Sequence, residues 1–453
     1  MRKTKIICTI GPASESEEKL RELMLAGMNV ARFNFSHGSH KEQLVKYNRV
    51  LKVRKELGLP VATLLDTKGP EIRLRDFEGG KVELVSGQQF VLTTEEIMGT
   101  AERATISYKN LKNDINVGTT ILIDDGLIEM TVEEIKGEDI VCKVINGGFV
   151  SNHKGVNVPG AILSMPYISE VDLADIVFGV EHGFDFIAAS FVRTREDIQE
   201  VRKIVEDRGS KIKIIAKIEN QEGVDNIDEI LEVADGIMIA RGDLGIEVPQ
   251  ERIPGIQRVL IRKCILAKKP VIVATQMLHT MISNPRPTRA EVTDIANAIY
   301  YRTDALMLSG ETAYGKYPVE AVKTMTKVAA QAEKDKLADN DIRIPLDENS
   351  NDVTAFLAKQ AVKATTKLKI RAIITDSYSG RTARNLAAFR GKYPVLAICY
   401  KEKTMRHLAL SYGVEAIYMP ELANGQEYYF AALRRLLQEG RLHSTDMVGY
   451  LSS

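Results

Sequence analysis

The feature that most constrains the fold is a repeated alternation of short apolar runs with segments of helical periodicity. Eight such runs, rich in β-branched residues, occur at Lys5–Thr9, Asn29–Asn34, Ala62–Leu65, Phe184–Ala189, Lys213–Ile218, Gly236–Ala240, Val271–Thr275 and Ala305–Leu308. Strands that alternate with amphipathic helices indicate parallel βαβ units, and eight of these close most naturally into a barrel. The sequence therefore predicts an α/β fold built on a (β/α)8 TIM barrel, formed by residues 1–67 and 165–336.

Two helix starts of this barrel carry a capping-box pattern, in which a hydroxyl residue is followed three positions later by Glu. Ser14 precedes Glu17 in this way, and Thr288 precedes Glu291. Such a pair satisfies backbone N–H groups that the first helical turn leaves without partners. We therefore predict that Ser14 and Thr288 cap their helices.

Between the third and fourth runs, over residues 68–164, the helical period disappears. Alternating runs such as KVELVSGQQFVLTT and TTILIDDGLIEMTVEEI take its place, separated by glycines. This pattern predicts an inserted all-β domain, which we interpret as a small β-barrel. Because the insertion leaves from the carboxyl end of a barrel strand, where active sites of this fold lie, it is placed to act as a lid.

After the barrel, the polar stretch ADNDIRIPLDENSND reads as a linker. Strand-like runs at Arg371–Thr375, Val395–Cys399 and Glu415–Met419 then alternate with helical segments. This alternation predicts a separate open α/β domain over residues 337–453.

Composition excludes several classes of protein. Lys plus Arg and Asp plus Glu both number 61, so no net charge attracts a polyanion, which argues against nucleic acid as the main partner. No apolar run reaches the length of a membrane helix, and the basic start is followed by too short an apolar run for a signal peptide. The four cysteines show no zinc or redox spacing. We therefore expect a soluble cytoplasmic protein without a membrane partner.

The predicted strand ends carry the polar residues that point to chemistry. Lys217 and Glu219 lie two positions apart on one strand, so both side chains project from the same face, and Asp243 follows the next strand. Two carboxylates suit Mg²⁺ or Mn²⁺ and leave positions for substrate oxygens. Lys217 would then stabilise a group in transfer. An internal ion pair and a Schiff-base lysine remain alternative interpretations.

Other strand ends suggest sites for further ions and phosphates. The glycines of Arg241-Gly242-Asp243-Leu244-Gly245 allow backbone N–H groups to approach a substrate carboxylate. An oxygen-only set on two neighbouring strand ends suits a monovalent cation, with loop capping as the alternative, and consists of Asn34, Ser36, Asp66 and Thr67. Basic residues of the insertion suit nucleotide phosphates, with solvated charges as the alternative, and comprise Lys68, Arg73 and Lys154.

Taken together, several strings resemble those of the pyruvate kinase family in its order and spacing. They are TKIICTIGPAS, ARFNFSHG, LLDTKGPEIR, KGVNVPG, KIENQEGV, IARGDLGIE, ATQML, PRPTRAEVTDIANAI and MLSGETA. The resemblance extends from Arg2 to about Val414. It implies transfer of the phosphoryl group of phosphoenolpyruvate to ADP, which gives ATP and pyruvate in the last step of glycolysis.

The resemblance also implies roles for individual residues. Glu219 and Asp243 would hold Mg²⁺, and Lys217 would stabilise both the phosphoryl group in flight and the enolate. The substrate would contact Arg32, Lys217, Gly242, Asp243 and Thr275, of which Arg32, Lys217 and Thr275 would be catalytic. K⁺ would be bound by Asn34, Ser36, Asp66 and Thr67. The nucleotide would be bound by Asn34, His37, Arg73 and Lys154. Glu71 is typical of family members that depend on K⁺, so we predict activation by K⁺.

In the last domain, a loop between a strand and a helix resembles the effector loop of the family and would bind a sugar phosphate or nucleotide. Its residues are Thr375, Ser377, Ser379, Gly380, Arg381 and Thr382. An ordinary capped turn is the alternative interpretation. The family resemblance further implies an allosteric homotetramer.

The sequence departs from the family pattern in three places. Tyr301-Arg302 and His279-Thr280 stand where the family has Asp-Gly and Glu-Ser, and we expect both pairs near the mouth or at subunit contacts. The chain ends at Tyr450-Leu451-Ser452-Ser453, so we expect the last domain to lack an edge strand. Two rival hypotheses remain: a metal-dependent lyase or aldolase on a similar barrel, and a catalytically silent metabolite sensor.

Overall fold

The computed structural model describes residues 2–336, 345–346, 352–422 and 424–452. The strands are, in chain order, β1 (Lys5–Thr9), β2 (Val30–Asn34), β3 (Ala62–Asp66), β4 (Ile72–Arg73), β5 (Lys81–Leu84), β6 (Gln89–Thr93), β7 (Arg103–Thr105), β8 (Thr120–Ile123), β9 (Ile128–Lys136), β10 (Asp139–Asn146), β11 (Gly148–Ser151), β12 (Gly155–Asn157), β13 (Phe186–Ala189), β14 (Lys213–Ile218), β15 (Gly236–Ala240), β16 (Val271–Ala274), β17 (Ala305–Leu308), β18 (Ile370–Ser377), β19 (Val395–Cys399), β20 (Val414–Tyr418) and β21 (Met447–Leu451).

The α-helices are α1 (Glu17–Ala26), α2 (His40–Leu57), α3 (Leu111–Asp114), α4 (Glu170–His182), α5 (Arg195–Glu206), α6 (Gln221–Asp225), α7 (Ile227–Val233), α8 (Arg241–Glu247), α9 (Ile253–Leu266), α10 (Arg289–Tyr300), α11 (Gly310–Ala313), α12 (Pro318–Asp335), α13 (Val353–Lys367), α14 (Arg381–Ala388), α15 (Glu402–His407) and α16 (Gly425–Gln438). Short 3₁₀ turns occur at Glu78–Gly80, Gln250–Arg252, His279–Ile282 and Leu408–Leu410.

The eight predicted barrel strands all form and close in the order β1-β17-β16-β15-β14-β13-β3-β2, with parallel pairing throughout. Their side chains are almost entirely buried, as expected for strands covered on both faces. The predicted (β/α)8 barrel is therefore confirmed.

A repeated side-chain contact fixes the amino-terminal end of this barrel. A carboxylate or amide just before one strand accepts a hydrogen bond from the backbone N–H of the adjacent strand. Asp185 accepts from Thr63 at 2.9 Å, and Asp304 accepts from Val271 at 3.1 Å. Asn29 and Asp235 make the same contact. Because a side chain bonds one particular N–H group, this contact helps to set the register of neighbouring strands.

The inserted domain is all-β, as predicted. Its main sheet has seven strands in the order β4-β12-β8-β9-β10-β6-β7, and β11 pairs with β5 separately. The two edge strands of the main sheet meet just beyond their ends, where Leu74 bridges to Ile106 and Arg75 N–H donates to Thr105 at 2.9 Å. The sheet thus curls until its edges touch, around a separate apolar core.

The α/β domain contains a parallel four-stranded sheet in the order β20-β19-β18-β21. The expectation of a missing edge strand requires correction, since Met447–Leu451 forms β21 and pairs with β18 at the edge of the sheet. Glycine and tyrosine interrupt the apolar run in its sequence, MVGYL, so the strand was not predicted. The predicted linker falls mostly outside the described residues.

This domain covers the amino-terminal end of the barrel. Leu410 packs with the apolar side chains that fill the barrel interior. Arg406 Nε donates to Asp185 at 2.8 Å, and Arg390 donates to Asp304 at 2.7 Å. The same aspartates that pair neighbouring strands therefore also bind the α/β domain, in a buried setting.

The prediction for Ser14 is wrong, and for Tyr301-Arg302 the structure contradicts a place near the mouth, while the alternative of a subunit contact stays a prediction. Helix α1 is capped by Ser16, whose side chain accepts from Lys19 N–H, whereas Ser14 is buried in the preceding turn. Tyr301-Arg302 precedes β17 and lies at the end opposite the mouth, where the Arg302 carbonyl accepts from Arg390. Residues before a parallel strand cannot reach its carboxyl end. The predicted capping box of Thr288 with Glu291 is confirmed, and the four cysteines are buried and free.

Candidate active site at the mouth of the barrel

Lys217 and Glu219 lie at the carboxyl end of β14, one in the strand and one just after it. Lys217 Nζ is 3.0 Å from Glu219 Oε1, as expected for side chains two positions apart on one strand. Both side chains are buried. A buried charge needs compensation, so the contacts around this pair decide what it can do.

Asp66 and Arg32 complete a buried cluster of charges around Lys217. Asp66 Oδ1 accepts from Lys217 Nζ at 3.0 Å, and Asp66 Oδ2 accepts from Arg32 Nε at 2.5 Å. Burial opposes the charged forms, but the Asp66 and Glu219 charges outweigh it and raise the pKa of Lys217. Burial likewise acts to raise the pKa of Asp66, yet Arg32 and Lys217 lower it overall. Lys217 is therefore held in its charged form at the mouth by the carboxylates around it.

Glu219 has the most unusual electrostatic environment at the mouth. Burial raises its pKa to about 7, Lys217 opposes this shift, and the negative charge of Asp243 adds to it. Its Oε2 accepts from Phe191 N–H at 2.7 Å, whereas Oε1 is buried and accepts no hydrogen bond. A buried carboxylate oxygen with a free lone pair, beside a second carboxylate, is a chemical environment that fits a divalent cation.

Asp243 and Gly242 begin helix α8, immediately after β15. Gly242 N–H donates to Thr275 Oγ1 at 2.8 Å, which brings the ends of β15 and β16 together. Thr275 has a φ of 68° and Gln276 a φ of 55°, both in the left-handed region. A β-branched residue rarely adopts this conformation, so the strain at Thr275 marks a position held by its surroundings.

The predicted oxygen-only set lies at the ends of β2 and β3. Asn34 pairs with Asp66 across the two strands, and Asn34 Oδ1 accepts from Ser36 N–H at 3.1 Å. Thr67 is buried and its Oγ1 accepts from Ser190 N–H at 3.1 Å. Asn34 and Thr67 thus place neutral side-chain oxygens near the Asp66 carboxylate, and Ser36 is exposed next to Asn34; neutral oxygens with one carboxylate fit a weakly charged cation.

A cleft of about 580 Å³ separates the inserted domain from the barrel and contains residues of both. Asp243 and Phe191 line it from the barrel, and Arg73 and Lys154 line it from the insertion. Lys154 Nζ is 2.8 Å from Asp124 Oδ1, and Arg73 donates to Glu71 at 2.7 Å. His37 is exposed after β2 and is not among the residues that line this cleft, whereas Arg73 and Lys154 are.

His279 and Thr280 lie in the 3₁₀ turn that follows β16, on the mouth side of the barrel as expected. Thr280 N–H donates to Glu291 Oε1 at 2.7 Å. This contact attaches the turn to the first turn of α10. His279-Thr280, where the sequence departs from the family pattern, therefore lies in a segment near the mouth that Glu291, in the first turn of α10, holds in place.

The loop predicted to bind an effector follows β18. Ser377 Oγ accepts from Gly380 N–H at 2.8 Å, Ser379 Oγ accepts from Arg381 N–H at 3.3 Å, and Gly380 has a φ of 79°. Thr382 is buried in α14 and Thr375 is buried within β18, so Thr375 belongs to the strand and not to the loop. A cavity of about 440 Å³ adjoins Ser377, Ser379, Arg381 and Thr382.

Two residues after β13 were not among the predicted site residues. Ser190 Oγ accepts from Lys217 Nζ at 2.8 Å, and Phe191 N–H donates to Glu219. A signal for them existed, because Ser190-Phe191 follows the fourth predicted strand as the other candidates follow theirs. Serine and phenylalanine carry no charge, so composition alone gave no reason to single them out.

A metal-binding cluster of side chains and a membrane-spanning helix are both absent from the described residues. No group of three or more His, Cys, Asp and Glu side chains is arranged to hold a metal there, so a metal at the mouth would need substrate or water oxygens beside its two carboxylates. None of the helices in the described part of the chain has the length and apolar character that a membrane crossing requires.

Comparison with known proteins gives the same picture. The sequence matches the family described as "Pyruvate kinase, barrel domain" over residues 1–322 and "Pyruvate kinase, alpha/beta domain" over residues 356–452. It is 47% identical over 450 residues to a pyruvate kinase of Clostridium acetobutylicum, covering 99% of this chain and 95% of that relative. It is 49% identical over 451 residues to a pyruvate kinase of Geobacillus stearothermophilus, covering 99% and 77%.

Among solved structures, a crystal structure of a pyruvate kinase from Cryptosporidium parvum superposes with a TM-score of 0.95 and 39% sequence identity. The superposition covers 99% of this chain and 94% of the other. The matches thus extend over the barrel, the insertion and the α/β domain. On this likeness the chain belongs to the pyruvate kinase family and is a phosphotransferase.

Proposed function

We propose that the mouth of the barrel transfers the phosphoryl group of phosphoenolpyruvate to ADP, giving ATP and pyruvate. The observation that carries this proposal is the buried ammonium of Lys217, held between Asp66 and Glu219. Phosphoryl transfer needs alignment and charge neutralisation more than covalent chemistry. A fixed positive charge in a water-poor site supplies both to the phosphoryl group and to the enolate that remains.

Lys217, Arg32 and Thr275 are the proposed catalytic residues. Arg32 binds the transferring phosphate, and its guanidinium is oriented by Asp66 and by Thr9 Oγ1 at 2.9 Å. Thr275 lies on the path of the proton that converts the enolate to pyruvate, and its hydroxyl bonds the Gly242 N–H. Gly242 and Thr275 together contact the substrate carboxylate at the start of α8, and Asp243 binds the substrate beside them as one of the two metal-binding carboxylates.

Glu219 and Asp243 would hold Mg²⁺ or Mn²⁺, which would neutralise charge on the substrate oxygens. The buried Glu219 Oε1 without a hydrogen bond supports this role. Asn34, Ser36, Asp66 and Thr67 would hold K⁺ between the ends of β2 and β3. We infer K⁺ dependence from Glu71. Family members with lysine at this position supply their own positive charge, whereas the Glu71 carboxylate, which pairs with Arg73, supplies none.

We propose that residues 68–164 act as a lid over the catalytic barrel of residues 1–67 and 165–336, and that residues 337–453 form an effector and assembly domain. Arg73 and Lys154, which line the cleft beneath the insertion, would bind nucleotide phosphates together with Asn34 and His37. Asn34 and His37 do not line the cleft in this structure, so both would join Arg73 and Lys154 on closure.

In the α/β domain, the loop at Ser377–Thr382 would bind a sugar phosphate or nucleotide effector, supported by the adjoining cavity. A homotetramer and a cytoplasmic location are proposed on family likeness. The silent-sensor hypothesis would retain this loop without turnover in the barrel. Within the lyase or aldolase hypothesis, a Schiff-base mechanism would need Lys217 as a free amine, but its raised pKa keeps the side chain an ammonium, which is a poor nucleophile.

The test is pyruvate formation from phosphoenolpyruvate and ADP with Mg²⁺, in K⁺ and with K⁺ replaced by Na⁺. We expect turnover that falls sharply without K⁺. Turnover indifferent to the salt would support the kinase and exclude the monovalent-cation site. Folded protein without turnover in either salt would contradict the proposed reaction and favour the sensor hypothesis.

A further inference from the structure

Ser190 lies directly after β13, facing the charged cluster from the neighbouring strand. It is 1% exposed and all three of its polar atoms are bonded. Its N–H donates to Thr67 Oγ1 at 3.1 Å, and its carbonyl accepts from Tyr167 hydroxyl at 2.8 Å. Its backbone is therefore fixed from both sides.

The hydroxyl of Ser190 has one proton and two lone pairs to distribute. Its Oγ lies 2.7 Å from the Thr67 carbonyl and 3.2 Å from Asp66 Oδ1, and it donates its single proton to one of these two acceptors. A lone pair then faces Lys217 Nζ, which donates to it at 2.8 Å. The hydroxyl is thus oriented as an acceptor for Lys217.

The three protons of the Lys217 ammonium are consequently not equivalent. One goes to Asp66 Oδ1 and one to Ser190 Oγ, both with hydrogen-bond geometry. Lys217 Nζ also lies 3.0 Å from Glu219 Oε1, but the geometry is not that of a hydrogen bond. Two hydrogen bonds therefore hold the ammonium in place, and its third proton has no hydrogen-bond acceptor among the described residues.

We propose that Ser190 is a positioning residue for the phosphotransfer reaction, which holds Lys217 so that one ammonium proton points to the transferring group. This inference rests on the proposed function of Lys217. With Asp66 alone, the flexible lysine side chain would rotate about a single hydrogen bond. Small displacements of a charge that stabilises a transition state cost far more rate than substrate binding.

The same segment also orients Glu219. Phe191, with a φ of 53°, donates its N–H to Glu219 Oε2 at 2.7 Å. A side chain at Gly69 would place its Cβ 2.8 Å from Ser190 Cβ, so the first residues of the insertion pack directly on this segment. Ser190 is therefore confined by close packing as well as by hydrogen bonds.

The test compares Ser190→Ala with Ser190→Thr, which keeps the hydroxyl. For Ser190→Ala we expect kcat to fall by about ten- to a hundredfold, as found for residues that orient catalytic groups. The KM for phosphoenolpyruvate and the Mg²⁺ concentration for half activity should change by less than about threefold, because uniform binding is not lost. Ser190→Thr should have a higher kcat than Ser190→Ala, because it keeps the acceptor oxygen, although its added methyl group enters a closely packed site.

Thr303→Val is the matched control, since it removes a buried hydroxyl at the opposite end of the barrel. It should leave kcat unchanged. An unchanged kcat in Ser190→Ala would overturn the proposal, as would a loss of kcat accompanied by an equal loss of thermal stability that Ser190→Thr does not reverse. Wild-type protein without turnover would instead contradict the proposed function, so the two failures are distinguishable.

Discussion

Lys217 Nζ and Glu219 Oε1 lie 3.0 Å apart in a buried site, yet Glu219 Oε1 accepts no hydrogen bond. The two groups attract each other by charge, but the hydrogen-bonding capacity of Glu219 Oε1 stays unused. An ion pair with a purely structural role would be expected to satisfy its buried atoms. The unused capacity points instead to partners that arrive with the substrate.

Replacing Lys217 with Met should abolish most catalysis. The change removes the buried positive charge at nearly constant side-chain volume, so we expect kcat to fall by about a thousandfold in steady-state assays of pyruvate formation. Lys213→Met is the control, because Lys213 begins the same strand and pairs with Asp235 at the other end of the barrel. A Lys217→Met variant with more than a tenth of normal activity would rule out the assigned role.

Glu219 should make the metal-free protein less stable as the pH rises. Its folded-state pKa of about 7 lies above the ordinary 4.5, so the folded state holds this proton more tightly than the unfolded state. The contribution of Glu219 to the free energy of unfolding is fully present below about pH 4.5 and is lost as the pH rises through about 7. The shift corresponds to roughly 3 kcal/mol, derived from about 1.4 kcal/mol per pKa unit.

The measurement is the thermal midpoint of Glu219→Gln and of the wild type, in chelator, at about pH 5 and about pH 8. Gln does not titrate, so the variant should gain stability relative to the wild type at the higher pH. Equal differences at the two pH values would show that the Glu219 carboxyl titrates normally.

Lys154→Ala should weaken nucleotide binding selectively. Lys154 lines the cleft beneath the insertion, so removing its charge should raise the KM for ADP by about tenfold and leave the KM for phosphoenolpyruvate nearly unchanged. Lys143→Ala, an exposed lysine on β10 of the same domain, should change neither constant. Equal effects of the two substitutions would indicate a general loss of charge and not a nucleotide contact.

Arg390→Leu should destabilise the junction between the barrel and the α/β domain. Arg390 is 1% exposed and donates to Asp304, which would remain buried without its charged partner. Breaking such a pair costs about 3–5 kcal/mol of unfolding free energy, measurable by denaturant titration. Arg441→Leu removes a more exposed ion pair with Glu415 and should cost at most about 1 kcal/mol. Similar losses in the two variants would argue against a buried junction.

Much of the barrel follows from local patterns. The eight strands were predictable because covered parallel strands need continuous apolar runs, and their helices need a different period. The shared face of Lys217 and Glu219 also follows from the sequence, since strand geometry alone sends residues two apart to one side. The Thr288 capping box is local in the same sense.

Two other parts of the structure were not predicted correctly, because their physical causes lie outside the local sequence. Met447–Leu451 becomes a strand only because β18 offers an unpaired edge. Ser14 resembles a cap but is buried in the turn that follows β1, so Ser16 takes that role. Tyr301-Arg302 is a different case: its position before a predicted strand already places it at the amino-terminal end of the barrel, so the sequence itself could have excluded a place near the mouth.

The sequence by itself determined the fold class, the insertion and the charged residues at the strand ends, because apolar periodicity and charge type are local properties. Only the tertiary structure decided how Ser190 holds Lys217 and how Asp66 joins Arg32 to Lys217. Those contacts join residues on different strands, and barrel closure alone sets their distances. The sequence shows that Glu219 is an acidic residue, but its pKa depends on burial, and burial arises only when the tertiary structure packs around it.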